Sequence, residues 1–483
     1  MYSSHSLLLT DLYQLTMSYA YWKQNKHEQE AVFHLFYRKA PYGGTYAISA
    51  GLALAIEWLE SFTISDEEKD YLLQLIGNDG KPLFDEEFLD YLGDMEFACD
   101  IAAIPEGNLV FPHEPLMRVQ GPLLQCQLLE TALLNIINFS TLIATKASRI
   151  VRVADGDPVL EFGLRRAQGP DGGLSASRAA YIGGCAATSN VLAGYKFGIP
   201  TKGTHAHSWV MSFPNEAEAF NRYADAMPNN CIFLVDTYDT VEGVREAIKV
   251  GHRLREQGHE MLGIRLDSGD LAALSIASRK LLDEAGFPNA SIVASNDLDE
   301  YRMQVLKEQG AEINVWGVGT RLATSYDQAA LGGVYKLAAL RNEDGSWDYK
   351  VKLSEQSIKV SNPGILNVRR SRDHKGQLIG DEIWNEDGAQ PKGEFTTFTG
   401  QQIDIKGQAS EDLLVPIFEA GKLIYEVPPL ENVRTHCLAE INSLEEQYLD
   451  FETPIVFPVG LEPMLSQAKN EIIQSLKLSK VYE

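Results

Sequence analysis

The sequence lacks the features of several protein classes. It has only five cysteines, Cys99, Cys126, Cys185, Cys231 and Cys437, without the Cys-x-x-Cys spacing of zinc and redox motifs. An odd, scattered set of thiols is typical of a reducing compartment, so we predict a cytoplasmic protein. The N-terminus shows no basic segment followed by a long apolar one, and therefore no evident signal peptide. No apolar run is long enough to cross a bilayer.

Positive charge is also scarce. The chain has 42 lysines and arginines against 67 aspartates and glutamates, a net charge of −25. A surface this acidic repels phosphate backbones and anionic lipids, so we predict no nucleic-acid partner and no membrane partner. An anionic substrate would need a local positive pocket against this background.

Internal repeats and low-complexity tracts are absent, and the apolar pattern divides the 483 residues into three parts. Helical stretches and short strands broken by proline predict an N-terminal α+β domain over residues 1–150. Alternating strands and helices predict a catalytic domain over residues 151–340. The less regular residues 341–483 predict a C-terminal extension that packs back on the rest.

The middle part has the pattern of a parallel sheet. Helical stretches separate six strand candidates: Val159–Phe162, Ile199–Thr204, Cys231–Val235, Leu262–Leu266, Ser291–Ala294 and Ile313–Val318. A helical stretch is predicted over Ala176–Phe197, with an interruption at Gly183 and Gly184, and Val334–Leu340 is a candidate seventh strand. Repeated β-then-α units of roughly 30 residues favour an irregular parallel α/β barrel over an open sheet.

Polar residues stand where these strands end, which is where such barrels carry their sites. They are Arg165, Arg166, Thr204, His207, Asp236, Arg265, Asp267 and Thr320. Each alone has an ordinary explanation, but their joint occurrence predicts one site. Guanidinium groups beside a titratable nucleophile suit an anionic substrate and group transfer.

Two glycine-containing loops are candidate phosphate sites. Gly317 and Gly319, followed by Thr320, allow close backbone approach and present amides and a hydroxyl. Ser268 and Gly269 precede a predicted helix, whose N-terminus offers further amides. Asp267 and Asp270 are candidates to accept ribose hydroxyls or to hold Mg²⁺. The alternatives are a tight turn at the first loop and helix capping at the second.

His205 and His207 raise the alternative of a barrel metallohydrolase, because paired imidazoles at a strand end are a metal-binding pattern. Further histidines should then end the later strands, and none does. With Asp236 after the neighbouring strand, His207 is instead predicted to be an oriented nucleophile or base.

Five motifs within the chain closely resemble those of the nicotinate phosphoribosyltransferases, which are type II phosphoribosyltransferases. They are Asp11–Met17, Phe162–Gly173, Gly203–Ser208, Leu262–Asp270 and Gly317–Thr320, and the likeness continues at Lys352–Glu355 and Pro363–Gly364. The resemblance implies that nicotinate attacks C1 of phosphoribosyl pyrophosphate, giving nicotinate mononucleotide and pyrophosphate. It also implies Mg²⁺ and ATP, which phosphorylates the residue matching His207. No Walker A motif is present, so ATP would use the same pocket.

The resemblance also assigns roles to individual residues. Asp236 would orient His207, Arg165 would bind the pyridine ring and its carboxylate, and Tyr13 would come from the other subunit of a homodimer. The remaining substrate-binding residues would be Phe162, Thr204, Arg265, Asp267, Ser268, Gly269, Gly317, Gly319 and Thr320.

Two further alternatives stay open at the level of sequence. The sister enzyme for nicotinamide carries an aspartate in the helix after the arginine strand, whereas residues 183–190 contain no carboxylate here. An aspartate would repel the carboxylate of nicotinate, so its absence favours the acid. A barrel that serves only as a scaffold for partners would release no pyrophosphate from phosphoribosyl pyrophosphate.

Overall fold

The computed structural model describes residues 6–354, 356 and 359–479. It forms two compact units, one built from residues up to Leu142 together with those from Ala330 onward, and one built from Ile143–Ala329. The C-terminal part of the chain therefore folds with the N-terminal part. Glu355, in one of the motifs above, lies outside the described residues. Among the described helices, none is long and apolar enough to span a membrane.

The first unit contains two large sheets. The described helices of this unit are Leu12–Lys23, Leu52–Leu59, Asp66–Leu73, Glu86–Asp94, Leu123–Leu128, Leu430–Asn442 and Pro463–Ser479, and Glu130–Ala154 begins here. One sheet is antiparallel, in the order Trp347–Tyr349, Gly333–Arg341, Glu30–Tyr37, Met117–Pro122, Asp100–Ala103, Val415–Glu419 and Lys422–Leu423. The second has the order Gln402–Asp404, Glu394–Thr397, Val459–Leu461, Leu378–Asn385, Leu366–Arg372 and Ala409–Asp412. Ala47–Ile48 pairs with Leu109–Val110.

One predicted barrel strand belongs to the antiparallel sheet of this first unit. Val334–Leu340 is a strand, but it pairs antiparallel with Glu30–Tyr37, with Tyr335 opposite Leu35. The prediction that this strand belongs to the parallel sheet was therefore wrong. Apolar residues and β-branched side chains specify that a segment is extended, but its partner strand lies about 300 residues away and leaves no local signal.

The second unit holds the parallel sheet that the sequence predicts. Its strands lie in the order Ala187–Thr188, Val159–Glu161, Val315–Val318, Ser291–Ala294, Gly263–Leu266 and Ile232–Leu234, and all neighbours are parallel. The described helices around it are Gly169–Ile182, Val191–Phe197, His207–Met211, Glu216–Ala226, Thr240–Glu256, Leu271–Glu284, Glu300–Glu308 and Thr320–Ala323. The α/β class and a parallel sheet of half-barrel form are confirmed.

The segment after Phe197 differs from its prediction. Ile199–Thr204 forms no strand and contributes one parallel bridge, between Thr201 and Thr188. The strand at this edge is Ala187–Thr188, which was predicted to be helical. The predicted interruption at Gly183 and Gly184 is confirmed, because the first helix ends at Ile182. A Cβ atom at Gly183 would lie 2.2 Å from the carbonyl oxygen of Ala144. A two-residue strand is too short to show alternation.

Residues 201–205 join the two edges of the parallel sheet. Thr201 bridges to Thr188 at one edge. At the other edge, Nε2 of His205 accepts a hydrogen bond of 3.3 Å from the backbone N–H of Leu234. The segment therefore runs between the sheet edges and places Thr204 and His207 near the carboxyl ends of the strands.

Candidate active site

The guanidinium group of Arg265 is the centre of the polar cluster at the strand ends. Its Nε donates to Oγ of Ser295 at 2.8 Å, one Nη donates to Oγ1 of Thr204 at 3.0 Å, and the other donates to Oδ1 of Asp267 at 2.8 Å. The ring of Phe162 lies 5.7 Å from the guanidinium carbon. One side chain thus connects segments that are distant in the sequence and fixes their relative positions.

His207 is the first residue of the short helix His207–Met211, and its side chain is 39% exposed. Its Nδ1 lies 3.2 Å from Oγ1 of Thr237. Its Nε2 lies 3.8 Å from Oδ1 of Asp236 and 3.9 Å from Oδ2 of Asp267. The direct hydrogen bond therefore joins His207 to Thr237, while the predicted partner Asp236 lies just beyond hydrogen-bond distance on the other side of the ring.

Asp236 is held firmly, because its side chain is only 1% exposed. Its Oδ2 accepts from the backbone N–H of Asp267 at 2.8 Å and from Oγ of Ser268 at 2.7 Å. Its Oδ1 is buried and has no hydrogen-bond partner among the described residues. The free oxygen is the one nearest His207, so a small movement of the imidazole would give the oxygen its missing donor.

Asp267 remains ionised under ordinary conditions. Burial acts to raise the pKa of its carboxyl, but hydrogen bonding from Ser295 and the charge of Arg265 outweigh it, and the pKa falls below its usual range. His207 therefore faces two carboxylates, of which one is paired with an arginine.

The predicted glycine loop packs against Phe162. The backbone N–H of Phe162 donates to the carbonyl of Val318 at 2.8 Å. A Cβ atom at Gly317 would lie 2.8 Å from the Phe162 ring, and one at Gly319 would lie 3.1 Å from the Phe162 carbonyl oxygen. Glycine is required here by close packing between adjacent strand ends. Thr320 begins the short helix Thr320–Ala323 directly after this contact.

Other predicted residues lie outside this contact network. Arg165 is exposed in the turn Leu164–Arg166, which follows Phe162, and it makes no ion pair or hydrogen bond within the described part of the chain. Gly269 has a φ of +79°, next to Asp270, whose side chain caps the helix Leu271–Glu284. Tyr13 belongs to the first unit, on the helix Leu12–Lys23, and is 48% exposed.

His205 has a structural place. It is buried, its Nε2 accepts from the backbone of Leu234, and its ring lies 5.0 Å from that of Tyr223. Burial lowers the pKa of His205 to about 4, so its imidazole is neutral. No cluster of three or more potential metal-ligating side chains occurs among the residues that the structure describes. These contacts give no support to the metallohydrolase alternative.

Three polar residues of the site were given no role from the sequence, although two of them, Thr237 and Ser295, stand at the predicted strand ends. Ser295 and Thr237 contact Arg265 and His207 respectively, and Glu161 accepts from Ser177 and Thr188 at 2.9 and 2.6 Å beneath the first strand end. Their positions in the sequence could have indicated a role. Ser295 directly follows the strand Ser291–Ala294, and Thr237 comes shortly after the strand Ile232–Leu234. After Ser295, Asn296 and Asp297 have φ values of +93° and +46°. Such sparsely populated backbone conformations cluster at functional sites.

A cavity of about 680 Å³ reaches this cluster at Phe162 and Thr204. Phe162 and Thr204 line it where the strands end, whereas Pro158 and Asn289 line it where strands begin. The cavity therefore extends along the length of the strands, and apolar side chains such as Val293 form much of its wall. Its volume suits a small organic molecule. Its charged lining residues are Lys202, Arg255 and Glu260, whereas Arg265 and His207 do not line it.

Comparison with known proteins gives a consistent result over nearly the whole chain. Family models described as nicotinate phosphoribosyltransferase N-terminal domain, nicotinate phosphoribosyltransferase family and nicotinate phosphoribosyltransferase C-terminal domain match residues 8–138, 159–359 and 366–469. The nicotinate phosphoribosyltransferase of Bacillus subtilis is 42% identical, over 97% of this chain and 96% of that protein. The one from Dictyostelium discoideum is 38% identical, over 94% and 86%.

Solved structures agree with the sequence relatives. The crystal structure of human nicotinic acid phosphoribosyltransferase matches with a TM-score of 0.84 and 31% identity, covering 96% of this chain and 99% of that one. A nicotinate-nucleotide pyrophosphorylase from Pyrococcus furiosus, at 21% identity and a TM-score of 0.69, shares the fold. On this evidence the chain is an enzyme that belongs to the nicotinate phosphoribosyltransferase family.

Proposed function

We propose that this enzyme joins nicotinate to phosphoribosyl pyrophosphate, giving nicotinate mononucleotide and pyrophosphate for NAD biosynthesis. The observation that carries the proposal is the cluster in which Arg265 binds Thr204, Ser295 and Asp267 beside His207. In the transfer, the ring nitrogen forms a bond to C1 of the sugar while the bond from C1 to the pyrophosphate oxygen breaks. The sugar carries positive charge in the transition state, so catalysis depends on positioned charges and an aligned ring.

The side chains divide this task. The apolar wall beside Phe162 accommodates the flat ring. Arg165, exposed in the turn that follows Phe162, attracts the carboxylate of nicotinate. Arg265 holds Thr204 and Asp267 beside the sugar. The backbone of Gly317 and Gly319, with Thr320, cradles the 5-phosphate, and Ser268 and Gly269 offer a second phosphate contact.

In the proposed cycle, ATP phosphorylates the imidazole of His207. The carboxylates of Asp236 and Asp267 lie on the Nε2 side of the ring, so they favour the tautomer that carries its proton on Nε2. The lone pair is then on Nδ1, beside the hydroxyl of Thr237. Nδ1 attacks the γ-phosphorus of ATP and ADP leaves. Water later removes the phosphoryl group as inorganic phosphate, and this loss drives the cycle.

Mg²⁺ fits the donor set in this part of the chain. Asp236 has a buried carboxylate oxygen without a partner, and Oδ2 of Asp267 lies on the same side of His207. Mg²⁺ typically binds one or two carboxylates together with substrate phosphates. When bound, it would neutralise charge on the departing pyrophosphate. Asp236 and Asp267 are the residues that we expect to hold it.

We also propose a homodimer in which Tyr13 of one subunit stacks on the ring bound by the other. An exposed tyrosine at the start of a helix is available for such a contact. Light scattering of the purified protein would give twice the mass of one chain, and a monomer with full activity would exclude shared sites. The cytoplasmic location stays a prediction.

Activity measurements distinguish the proposed reaction from its rivals. Purified protein given phosphoribosyl pyrophosphate should release pyrophosphate with nicotinate, and at least about 100-fold more slowly with nicotinamide, because a pocket built for a carboxylate leaves its cation unpaired with an amide. Equal rates with both bases would contradict nicotinate selectivity. Absence of pyrophosphate release with either base would support the scaffold alternative.

Replacing Arg165 with alanine should raise the KM for nicotinate about 10–100-fold with little change in kcat. This is the magnitude of one charge-assisted hydrogen bond, about 1.5–3 kcal/mol. Arg166→Ala is the matched control, because Arg166 is exposed in the same turn. Steady-state kinetics of both variants make the test. An unchanged KM in Arg165→Ala, or an equal rise in the control, would remove Arg165 from the base pocket.

A further inference from the structure

One buried carboxyl group at the strand ends has no part in the proposed reaction. Glu161 is the last residue of the strand Val159–Glu161, and only 1% of it is exposed. Its side-chain hydrogen bonds within the described chain come from uncharged donors. Burying a carboxylate is unfavourable unless hydrogen bonds compensate, so these bonds stabilise Glu161 in one position.

The two oxygens of Glu161 bind different segments of the chain. Oε1 accepts a hydrogen bond from the backbone N–H of Gly163, where the next turn begins. Oε2 accepts from Oγ of Ser177 at 2.9 Å, in the helix after that turn, and from Oγ1 of Thr188 at 2.6 Å, in the edge strand. One side chain therefore joins the turn, the helix and the neighbouring strand.

Asn190 sets the direction of the two hydroxyl groups. Its backbone N–H donates to Oγ1 of Thr188 at 2.9 Å, and its Nδ2 donates to Oγ of Ser177 at 3.1 Å. Its Oδ1 accepts from the N–H of Ala193, which fixes the amide in this orientation. Because both hydroxyl oxygens accept from Asn190, their own protons are available to Glu161.

The N–H that Glu161 binds belongs to a residue packed between two parts of the candidate site. Gly163 precedes Arg165, and its carbonyl accepts from the backbone N–H of Arg166 at 2.8 Å, which closes the turn. A Cβ atom at Gly163 would lie 2.8 Å from the carbonyl oxygen of Gly319. The position of Gly163 therefore determines where Arg165 lies relative to the glycine loop.

The same hydrogen bonds support the turn from its other side. A Cβ atom at Gly173 would lie 2.7 Å from Cδ1 of Leu164, so the turn packs directly on the helix. The carbonyl of Gly173 accepts from Oγ of Ser177 at 2.9 Å and from Nδ2 of Asn190 at 3.4 Å. The turn is thus held both at its backbone and at its apolar side chain.

We propose that Glu161 is a positioning residue for nicotinate binding, which acts through Arg165. It holds the turn so that the guanidinium group meets the carboxylate of nicotinate at a fixed distance from the glycine loop. Binding groups are precise only when a supporting layer of hydrogen bonds fixes them. The inference rests on the proposed function. It states that the reach of Glu161 and its acceptor toward Gly163 are required, whereas its charge is not.

Two substitutions separate reach from charge. Glu161→Gln keeps the length, accepts from Gly163 and donates to the two hydroxyls, so the KM for nicotinate should stay within about threefold of the wild type. Glu161→Asp keeps the charge but is shorter and cannot reach all three donors. Its KM for nicotinate should rise at least about tenfold, with kcat changed less than about threefold. A purely structural role would lower the yield of folded enzyme and leave KM unchanged.

A double-mutant cycle tests whether Glu161 acts through Arg165. Glu161→Asp introduced into Arg165→Ala should raise the KM for nicotinate less than about threefold further, because residues that act as one unit are not additive. If the two effects multiply instead, Glu161 does not act through Arg165 and the proposal is overturned.

Ser275→Ala is the control for loss of buried hydrogen bonds. Ser275 is fully buried in the same unit, where its Oγ donates to the carbonyl of Ala272 at 2.8 Å and accepts from the N–H of Glu312 at 3.0 Å. This variant should lower the Tm and leave the KM for nicotinate unchanged. Circular dichroism of every variant checks that the kinetics are measured on folded protein.

The remaining outcomes distinguish this inference from the proposed function. A wild-type KM in Glu161→Asp, or a Glu161→Gln variant as impaired as Glu161→Asp, would overturn the positioning role alone. Wild-type protein that forms no nicotinate mononucleotide would overturn the proposed function, and the inference with it.

Discussion

The His207→Ala variant is expected to lose all stimulation of turnover by ATP while it keeps slow, ATP-independent formation of nicotinate mononucleotide. The imidazole is the nucleophile toward ATP in the proposed cycle, and its removal leaves Arg165, Arg265 and the phosphate loops in place. Loss of a positioned nucleophile or base typically lowers a rate about 10²–10⁴-fold. Pyrophosphate release with and without ATP measures this effect directly.

A phosphorylation assay strengthens the same test. Wild-type protein incubated with γ-labelled ATP should acquire acid-labile label, and His207→Ala should not. His259→Ala is the control, since His259 is half-buried in the same unit and bonds only to the side chain of Asn229 among the described side chains. ATP stimulation that survives in His207→Ala would refute the phosphohistidine role. Labelling lost equally in the control would show a non-specific effect.

Much of the site was predictable because it depends on where each strand ends in the sequence. Strands Val159–Glu161, Ile232–Leu234, Gly263–Leu266, Ser291–Ala294 and Val315–Val318 lie within two residues of their predicted bounds. Parallel strands end at one edge of a sheet, so polar residues placed just after them converge. Correct strand ends were therefore sufficient to bring Arg265, Asp267 and Ser295 together, whereas Thr204 reaches Arg265 from a segment that forms no strand.

The contacts within the cluster could not be predicted in the same way. The sequence shows that Asp236 and Thr237 are neighbours, but not which of them reaches His207. The structure gives the hydrogen bond to Thr237 and keeps Asp236 at 3.8 Å, because Asp236 is already bound by the backbone of Asp267 and the hydroxyl of Ser268. Rotamer choices of this kind depend on partners from other strands.

The sheet memberships that failed have a similar cause. Ala187–Thr188 is too short to display a strand period, and the alternation of Val334–Leu340 is compatible with either sheet. Both assignments are decided by tertiary hydrogen bonding, which outweighs local propensity. The role of His205 could not be predicted from its neighbours in the sequence either. Its closeness to His207 suggested a shared metal site, but the fold buries His205 against Leu234.

The Arg265→Lys variant is expected to lower kcat/KM about 10²–10³-fold, or about 2.7–4 kcal/mol of transition-state stabilisation. Lysine keeps the positive charge, but its ammonium group cannot reproduce the planar fork that reaches Ser295, Thr204 and Asp267 together. Displacement of Thr204 and Asp267 by about 1 Å would suffice for this loss, since misplacement on that scale can cost about 10²-fold.

Arg279→Lys separates this catalytic effect from an effect on stability. Arg279 also makes three hydrogen bonds in the second unit, to the carbonyls of Ala290 and Phe287 and to Asp283, but it lies outside the site. Both variants should lower the Tm by a similar amount, because each loses a comparable set of hydrogen bonds. Only Arg265→Lys should lose activity at temperatures where both are folded. Equal kcat/KM values for the two variants would show that the charge at position 265 is sufficient and that the shared hydrogen bonds of Arg265 do not position the substrate.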